Sequence, residues 1–409
     1  MKNKRPLKIV VVAMSESIHT VRWLEQIADQ GWEIHLFPSN DNGLLHPESP
    51  KIIVHHSIYG RRPPTKKGNL AIKGLRVYSN FLAGVSRGIL EKIIPDYRTR
   101  QLRKLIKKIK PDIIHSMEFQ SAGYLVAEAK RKFKGQFPQW IATNWGSDIY
   151  LFGRLREHQS KIKEVLANCD FYSCECQRDV CLAQNFGLKA KVLPVFPNSG
   201  GFDLDEIKKD RSECQTSKRR KIILKGYQGS FGRALVGLHA LERCSDLLKK
   251  RNYELIIYST IPKSDVAMAS ELFSQKTGVK TTILPDGTSH RKILKAFGQS
   301  RLYLGLSISD AISTSLLEAL AMGSFPIQSN TSCADEWIED NKTGILVTPE
   351  DPEIIEKAIK KALNDDNLVD FAAKANWQVA QKRLAKKLLK EKTIDLYASV
   401  IKENENISK

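Results

Sequence analysis

Apolar positions fall into short, regularly spaced blocks along the chain. Residues 8–14 (Lys-Ile-Val-Val-Val-Ala-Met) form a near-continuous β-branched run, the pattern of a strand buried on both faces. A polar loop, residues 15–20, leads into helical periodicity from Val21 to Gln30. Gly31 closes that helix, and residues 32–37 alternate as a second strand. This βαβ opening is followed by apolar blocks at 111–115, 139–143, 171–173 and 191–195, with helical patterns between them. Alternating short strands and helices predict an α/β fold, a parallel sheet covered by helices on both faces.

Residues 206–220 break this rhythm. They are polar, charged and almost free of large apolar groups, so they read as a linker. A second α/β rhythm starts at 221–225 and continues with strands at 254–259, 281–284, 301–306, 325–329 and 344–347. The predicted division is a first domain over 1–205, the linker 206–220, a second domain over 221–375 and a helical tail over 376–409. No repeat of solenoid period interrupts it.

Charge adds to this picture. The 409 residues hold 65 Lys and Arg against 45 Asp and Glu, a formal charge of +20, while 42% apolar and 27% charged residues exclude a disordered or fibrous chain. Residues 61–110 alone carry fifteen Lys and Arg against Glu91 and Asp96. Within them, Leu102, Leu105, Ile106 and Ile109 form one apolar stripe flanked by cations on a predicted helix over 98–110. That stripe either packs on its own domain or faces anionic lipid, where each cation near the surface contributes about 1 kcal/mol. Nucleic acid is a third partner for a basic chain, but no helix-turn-helix, finger or aromatic motif accompanies the charge, so none is expected. The apolar run after the basic first residues is too short for a secretory leader or a membrane span, so neither is expected.

Seven cysteines, an odd number in a long chain, point to a reducing compartment. Cys169, Cys174, Cys176 and Cys181 are spaced C-x4-C-x-C-x4-C, unlike paired C-x2-C knuckles, and no metal site is expected of them. Asp203-Leu204-Asp205 has the form of an Asp-x-Asp metal motif but lies at the linker entrance.

Residues 304–329 carry the densest chemistry. A strand ends, a loop presents Asp310, and a helix begins near Ser313-Thr314-Ser315 with Glu318 inside it. A helix start offers free N–H groups and hydroxyls, which favour phosphate. A carboxylate one turn in can accept paired hydrogen bonds from a ribose diol, and Asp310 can do the same for a sugar hydroxyl. The plainer reading is that the serines and Asp310 cap a helix while Glu318 makes a surface ion pair.

At this point the sequence resembles glycosyltransferase family 4, the retaining GT-B enzymes. The family's Glu, seven residues, Glu motif at a strand-to-helix turn reads here as Asp310 to Glu318. It is followed by Met322-Gly323-Ser324-Phe325-Pro326, by Glu336 and by Thr343-Gly344-Ile345. Ser17-Ile18-His19, Pro111-Asp112-Ile113 and Pro197-Asn198-Ser199-Gly200-Gly201 are similar to its first-domain signposts, and the likeness runs over about residues 8–380. The resemblance implies two Rossmann-like domains facing each other across a cleft, with the last helix crossing back onto the first.

It further implies that Glu318 holds the nucleotide ribose and Asp310 the transferred sugar, with Ser313, Thr314 and Ser315 at the donor. Gly226, Gly229 and Gly232 with Arg233 would form a diphosphate cradle; the plainer reading of the glycines is turn geometry alone. Ser17, His19 and Trp145 fall on the acceptor side, and Asp148 and His19 are the polar groups nearest the reaction. Three departures stand out: Asp for Glu at 310, Tyr227 where a cation is usual, and Trp145 where many members have His. The implied reaction is retaining, metal-independent hexosyl transfer with no cofactor beyond the nucleoside-diphosphate sugar. The acceptor would be a glycan or lipid-linked glycan of a bacterial envelope, made in the cytoplasm at the inner face of the membrane, with the basic segment 61–110 touching anionic lipid. A GT-B binding subunit without catalysis and a basic nucleic-acid-binding protein are the alternatives.

Overall fold

The computed structural model describes residues 5–60 and 70–407. They form two compact units, one running to Gly200 and including Leu389 onward, the other Gly201–Leu388. The first four predicted strands that flank its centre appear as β1 (Lys8–Ala13), β2 (Glu33–Pro38), β5 (Ile113–Met117) and β6 (Gln139–Thr143). The first unit's sheet also holds β3 (Ile53–Tyr59), β4 (Ala71–Arg76), β7 (Phe171–Ser173) and β8 (Lys191–Val192). Its order is β4-β3-β2-β1-β5-β6-β7-β8, with every neighbouring pair parallel. The chain winds outward from β1 to β4, then returns to β1's other side at β5. Such a reversal leaves a crevice at the carboxyl ends of β1 and β5, where ligands bind in open α/β sheets.

The second unit repeats the plan with β9 (Lys221–Lys225), β10 (Glu254–Tyr258), β11 (Thr281–Ile283), β12 (Ser300–Gly305), β13 (Phe325–Ser329) and β14 (Ile345–Val347). The order β11-β10-β9-β12-β13-β14, again all parallel, puts the reversal between β9 and β12. The central strands of both sheets are buried almost throughout, β1 through its Ile and Val run and β5 and β12 with His115, Ser116 and Arg301 among their buried residues.

Each sheet buries side chains on both faces. In the first unit one face packs Trp23, Leu24 and Ile27 with Leu389, Leu396, Tyr397 and Val400 of the last helix, Lys386–Ile407. Trp23 Nε1 donates to the Tyr397 hydroxyl at 3.0 Å, and that oxygen lies 2.7 Å from His115 Nδ1. Burial pushes the His115 imidazole down to about 3, so it sits neutral in the core.

Two features differ from the sequence pattern, and packing decides between the two readings of a third. The polar stretch 206–220 is folded rather than a loose linker. It contains the end of the helix Leu204–Asp210 and a 3-10 turn at Thr216–Lys218, and Arg219 is buried, donating to the carbonyls of Met322 and Gly323. The stretch's charged side chains are mostly exposed, while Thr216, Ser217 and Arg219 are buried and hydrogen-bonded within the second unit. Strands β3 and β4 were not foreseen, because the pattern of 51–76 is broken by histidines, Gly74 and lysines. The stripe on the helix Tyr97–Ile109 packs inward: Leu102 and Ile106 are fully buried in the first unit's second core face. That helix offers no free apolar face to lipid. Of the basic segment 61–110, residues 61–69 lie outside the described residues. No helix among the described residues is long and apolar enough to cross a membrane.

Candidate functional site

In the second unit the reversal point gathers the residues that the motif singled out. After β9, residues 226–233 fold back on themselves and onto the loop after β12. Arg233 N donates to Leu306 O at 3.0 Å, Ile308 N to Phe231 O at 2.8 Å, and Gly232 bridges Ser307. Two glycines here are dictated by packing. A Cβ at Gly232 would lie 2.1 Å from Tyr227 O, and one at Gly226 would meet Ile257 and Thr260 side chains below 3 Å. Gly229, at φ +111°, adopts a conformation that side chains disfavour.

Arg233 does not stand free. Its Nε donates to Glu350 at 3.0 Å, and its Nη1 donates to the carbonyls of Gly232 and Gly229 at 2.9 and 3.1 Å. As found, the guanidinium closes its own loop and pairs with Glu350. Lys225 Nζ lies 5.6 Å from the Tyr227 ring.

Across the reversal, the helix Thr314–Met322 opens without a cap. Ser313 precedes it in an extended conformation and makes no side-chain bond to its first turn. Ser313 does not cap the helix, and the helix start keeps donors for an anion. Glu318 projects from the next turn, almost fully buried, with Oε1 2.7 Å from His290 Nε2 at the start of the helix His290–Gln299. It is not a surface ion pair. The Tyr258 and Tyr303 hydroxyls are buried close to Glu318 and Ser315, and burial above all pushes both phenols up, so they remain neutral. Asp310 is half-buried, accepts from Ala311 N at 2.9 Å and lies near Tyr227, whose phenol is raised by burial and then by Asp310.

The residues expected at the donor share one end of the second sheet: Gly226, Gly229 and Gly232 lie on the loop after β9, and Asp310 and Ser313 lie on the loop after β12, ahead of Thr314, Ser315 and Glu318 in the helix that follows. His290 was missed. It precedes Glu318 by 28 residues, and no local spacing ties the two together.

In the first unit, Ser17 caps the helix Ile18–Ile27, accepting from His19 N at 3.2 Å. His19 is exposed, and its ring meets the Trp145 ring edge-on at 5.7 Å between centroids. These three residues thus share the carboxyl ends of β1 and β6. Asp148 is placed differently from expectation. It is buried, and its Oδ2 accepts from both Phe119 N at 2.9 Å and Trp145 N at 2.7 Å. Nearby Glu118, at φ +75°, accepts from Ser121 N and Ala122 N. Burial first, then the Glu118 carboxyl, pushes Asp148 well above the usual carboxylate range. Asp148 thus holds two loops in place rather than offering itself to solvent.

That placement has a pH consequence. A raised native value means that Asp148 contributes stability below the unfolded carboxyl's pKa of about 4, and loses it as pH climbs toward the native value. Asp148→Asn keeps an oxygen for both N–H groups and has no charge to acquire. Its melting temperature, followed by circular dichroism, should therefore gain on wild type as pH rises from about 4 toward neutrality. Parallel pH profiles for the two proteins would contradict this.

The Asp-x-Asp segment and the cysteines are placed as follows. Asp203 caps the helix Leu204–Asp210 by accepting from Asp205 N and Glu206 N, both at 3.2 Å. Cys169, Cys174 and Cys176 are buried and Cys181 is exposed, and none of the four is in a disulfide. Cys174 Sγ donates to Cys176 O, and burial pushes the Cys169 thiol up to about 12.

Comparison with known proteins bears on both units. Residues 237–378 match the family model of glycosyl transferases group 1, and residues 91–173 match that of glycosyl transferase 4-like proteins. No curated sequence matches the chain. Among solved structures, sucrose-phosphate synthase from Thermosynechococcus elongatus superposes with a TM-score of 0.68 at 14% identity, over 97% of this chain and 100% of that one. A glycosyltransferase from Rickettsia africae gives 0.67 at 15% identity, covering 98% and 100%. Anabaena HepE, solved with UDP-glucose, gives 0.63 at 12% identity, covering 96% and 100%.

Proposed function

Because the chain belongs to the group 1 glycosyltransferases and has their two-domain GT-B fold, we propose that it transfers a hexosyl group, with retention, from a nucleoside-diphosphate sugar to a glycan or lipid-linked acceptor. The observation that carries the donor half is the uncapped start of the helix Thr314–Met322, with buried Glu318 one turn in and the glycine loop 226–233 tied beside it. The helix start and loop amides would face the diphosphate, Glu318 the ribose diol, and Asp310 a hydroxyl of the sugar. HepE's structure with UDP-glucose supports a nucleotide sugar as the donor class.

In the proposed reaction the acceptor hydroxyl attacks the anomeric carbon from the face that the diphosphate leaves. The C–O bond to phosphate breaks, a C–O bond to the acceptor forms, and the hydroxyl proton passes to the departing β-phosphate oxygen. Such a path needs positioning and stabilisation of the leaving group more than a dedicated base, which suits a first unit with Trp145 beside His19 and with Asp148 buried. The reading assigns no metal and no resident cofactor. It places the acceptor at Ser17, His19 and Trp145, in envelope polysaccharide synthesis at the cytoplasmic face of the membrane, with the basic segment 61–110 against anionic lipid.

Nucleotide release from a panel of UDP-, GDP- and ADP-sugars tests it. Slow hydrolysis of one donor is expected. A folded protein that neither cleaves nor binds any donor would instead be a binding subunit that keeps the fold without the reaction.

A further inference from the structure

The helix Asn80–Ile93 is amphipathic in the wrong sense for a soluble surface. Its inward side carries buried Ala83 and half-buried Arg87, and the Arg87 guanidinium points inward to donate to Ile58 O at 2.6 Å and Asn42 O at 2.8 Å. Its apolar side chains face out: Phe81 is 76% exposed and Ile93 71%, with Leu82, Val85 and Ile89 also exposed between them. At about 100° per residue these five fall within an arc of roughly 120°. Tyr78, 92% exposed just before the helix, extends the patch. A contiguous apolar face of this kind marks a partner.

Charge selects the partner. Residues 70–110 contain eleven Lys and Arg against two acids, Glu91 and Asp96. Exposed Arg76 lies on the strand before the helix, Lys92 lies on the apolar face itself, and Arg100, Lys104 and Lys108 stand exposed on the next helix. A second copy docking the same face would bring these cations together, whereas a surface of anionic headgroups would complement them. Polyanionic nucleic acid would account for the cations but not for the aliphatic face. At fourteen residues the helix is shorter than the roughly twenty needed to span a bilayer, so it would lie in the plane of the interface.

We propose that the helix Asn80–Ile93 is the membrane-docking element of this protein, lying in an anionic leaflet with Phe81, Val85 and Ile89 below the headgroups and the surrounding cations among them. This rests on the reading of a membrane-side acceptor given above and moves the contact from the helix Tyr97–Ile109, whose stripe is buried, to its neighbour.

The test is co-sedimentation of the full chain with phosphatidylcholine–phosphatidylglycerol vesicles and with phosphatidylcholine alone, for wild type and for Phe81→Ser/Ile89→Ser. Both residues are exposed, so the fold and its melting curve should be unaffected. Wild type should partition to the anionic vesicles only, and the double variant should partition at least about tenfold less. The inference is overturned if wild type does not partition, or if the double variant partitions equally. It is also overturned if wild type sediments in lipid-free buffer as a dimer that the substitutions split, because a second copy would then cover the face. Donor hydrolysis in lipid-free buffer, measured on both proteins, separates this from the transferase reading. Vesicle binding without hydrolysis would sink that reading and leave the docking face standing.

Discussion

Glu318→Ala is expected to lower turnover of the donor by on the order of a hundredfold to ten-thousandfold while leaving the fold nearly as stable as before. The magnitude follows from what the side chain is placed to do. A buried carboxylate receiving two hydroxyls makes two charge-assisted hydrogen bonds, each contributing about 1.5–3 kcal/mol. Losing both converts at about 1.4 kcal/mol per factor of ten. Stability should change little because the partner left behind, His290, is 44% exposed on its side chain and can turn to water. Glu318→Gln keeps the shape and one acceptor oxygen, so it should fall between alanine and wild type. His290→Ala removes the side chain that occupies Glu318 Oε1 in this structure and leaves the carboxylate in place, so its effect should be much smaller than that of Glu318→Ala. Nucleotide release and donor affinity, measured beside a thermal melt of each variant, check the set. Alanine at 318 that turns over donor like wild type would remove Glu318 from the site.

Why Glu318 was legible while its partner was not comes down to the range of the interactions. The strand, loop and helix around residues 301–323 are fixed by local terms: an apolar run, a polar loop, helical periodicity and a glycine that ends the helix at φ +77°. Any carboxylate one turn into that helix had to lie beside its start. His290 arrives from another helix, and only the packed sheet brings it within 2.7 Å. Asp148 shows the converse. A polar residue just after a strand reads as a site residue, yet its carboxyl is occupied by two backbone N–H groups of loops that local pattern does not relate. Arg233 likewise has the charge expected of a phosphate ligand, but Glu350, far along the chain, takes its guanidinium.

The same division explains the two basic helices. Periodicity located the stripe on Tyr97–Ile109 correctly but could not say which surface it met; the sheet covers it. On Asn80–Ile93 the sheet instead meets Ala83 and Arg87, and the apolar face is left to water. β4 escaped notice because it is an edge strand with mostly exposed residues, carrying lysine, arginine and a glycine whose Cβ would strike His56 O at 2.2 Å. Sequence pattern reports which faces exist; packing decides which of them are covered.

That rule also locates a stability effect in the second unit at a residue that composition would assign to the surface. Arg301 is 1% exposed within β12. Its guanidinium donates to Ala362 O and Leu363 O, the last carbonyls of the helix Pro352–Asn364, and to Ser217 O at 2.7 Å, and it pairs with Asp366 at the same distance. Carbonyls in a helix's final turn have no partner within the helix, so this buried cation serves as their cap and fastens the residues after Cys214 to the sheet. Arg301→Met preserves much of the volume but leaves Ala362 O without its donor, whereas Leu363 O keeps Arg251 and Ser217 O keeps Arg220, so a loss of roughly 1–3 kcal/mol is expected. For a unit of this size that corresponds to a melting temperature lower by about 2–12 °C. Arg291→Met is the control: Arg291 pairs with Asp210, but its side chain is 61% exposed, and removing an exposed pair should change stability by less than about 1 kcal/mol. A melt in which the two variants shift alike would mean that the carbonyls around Arg301 find other donors and that the cap is dispensable.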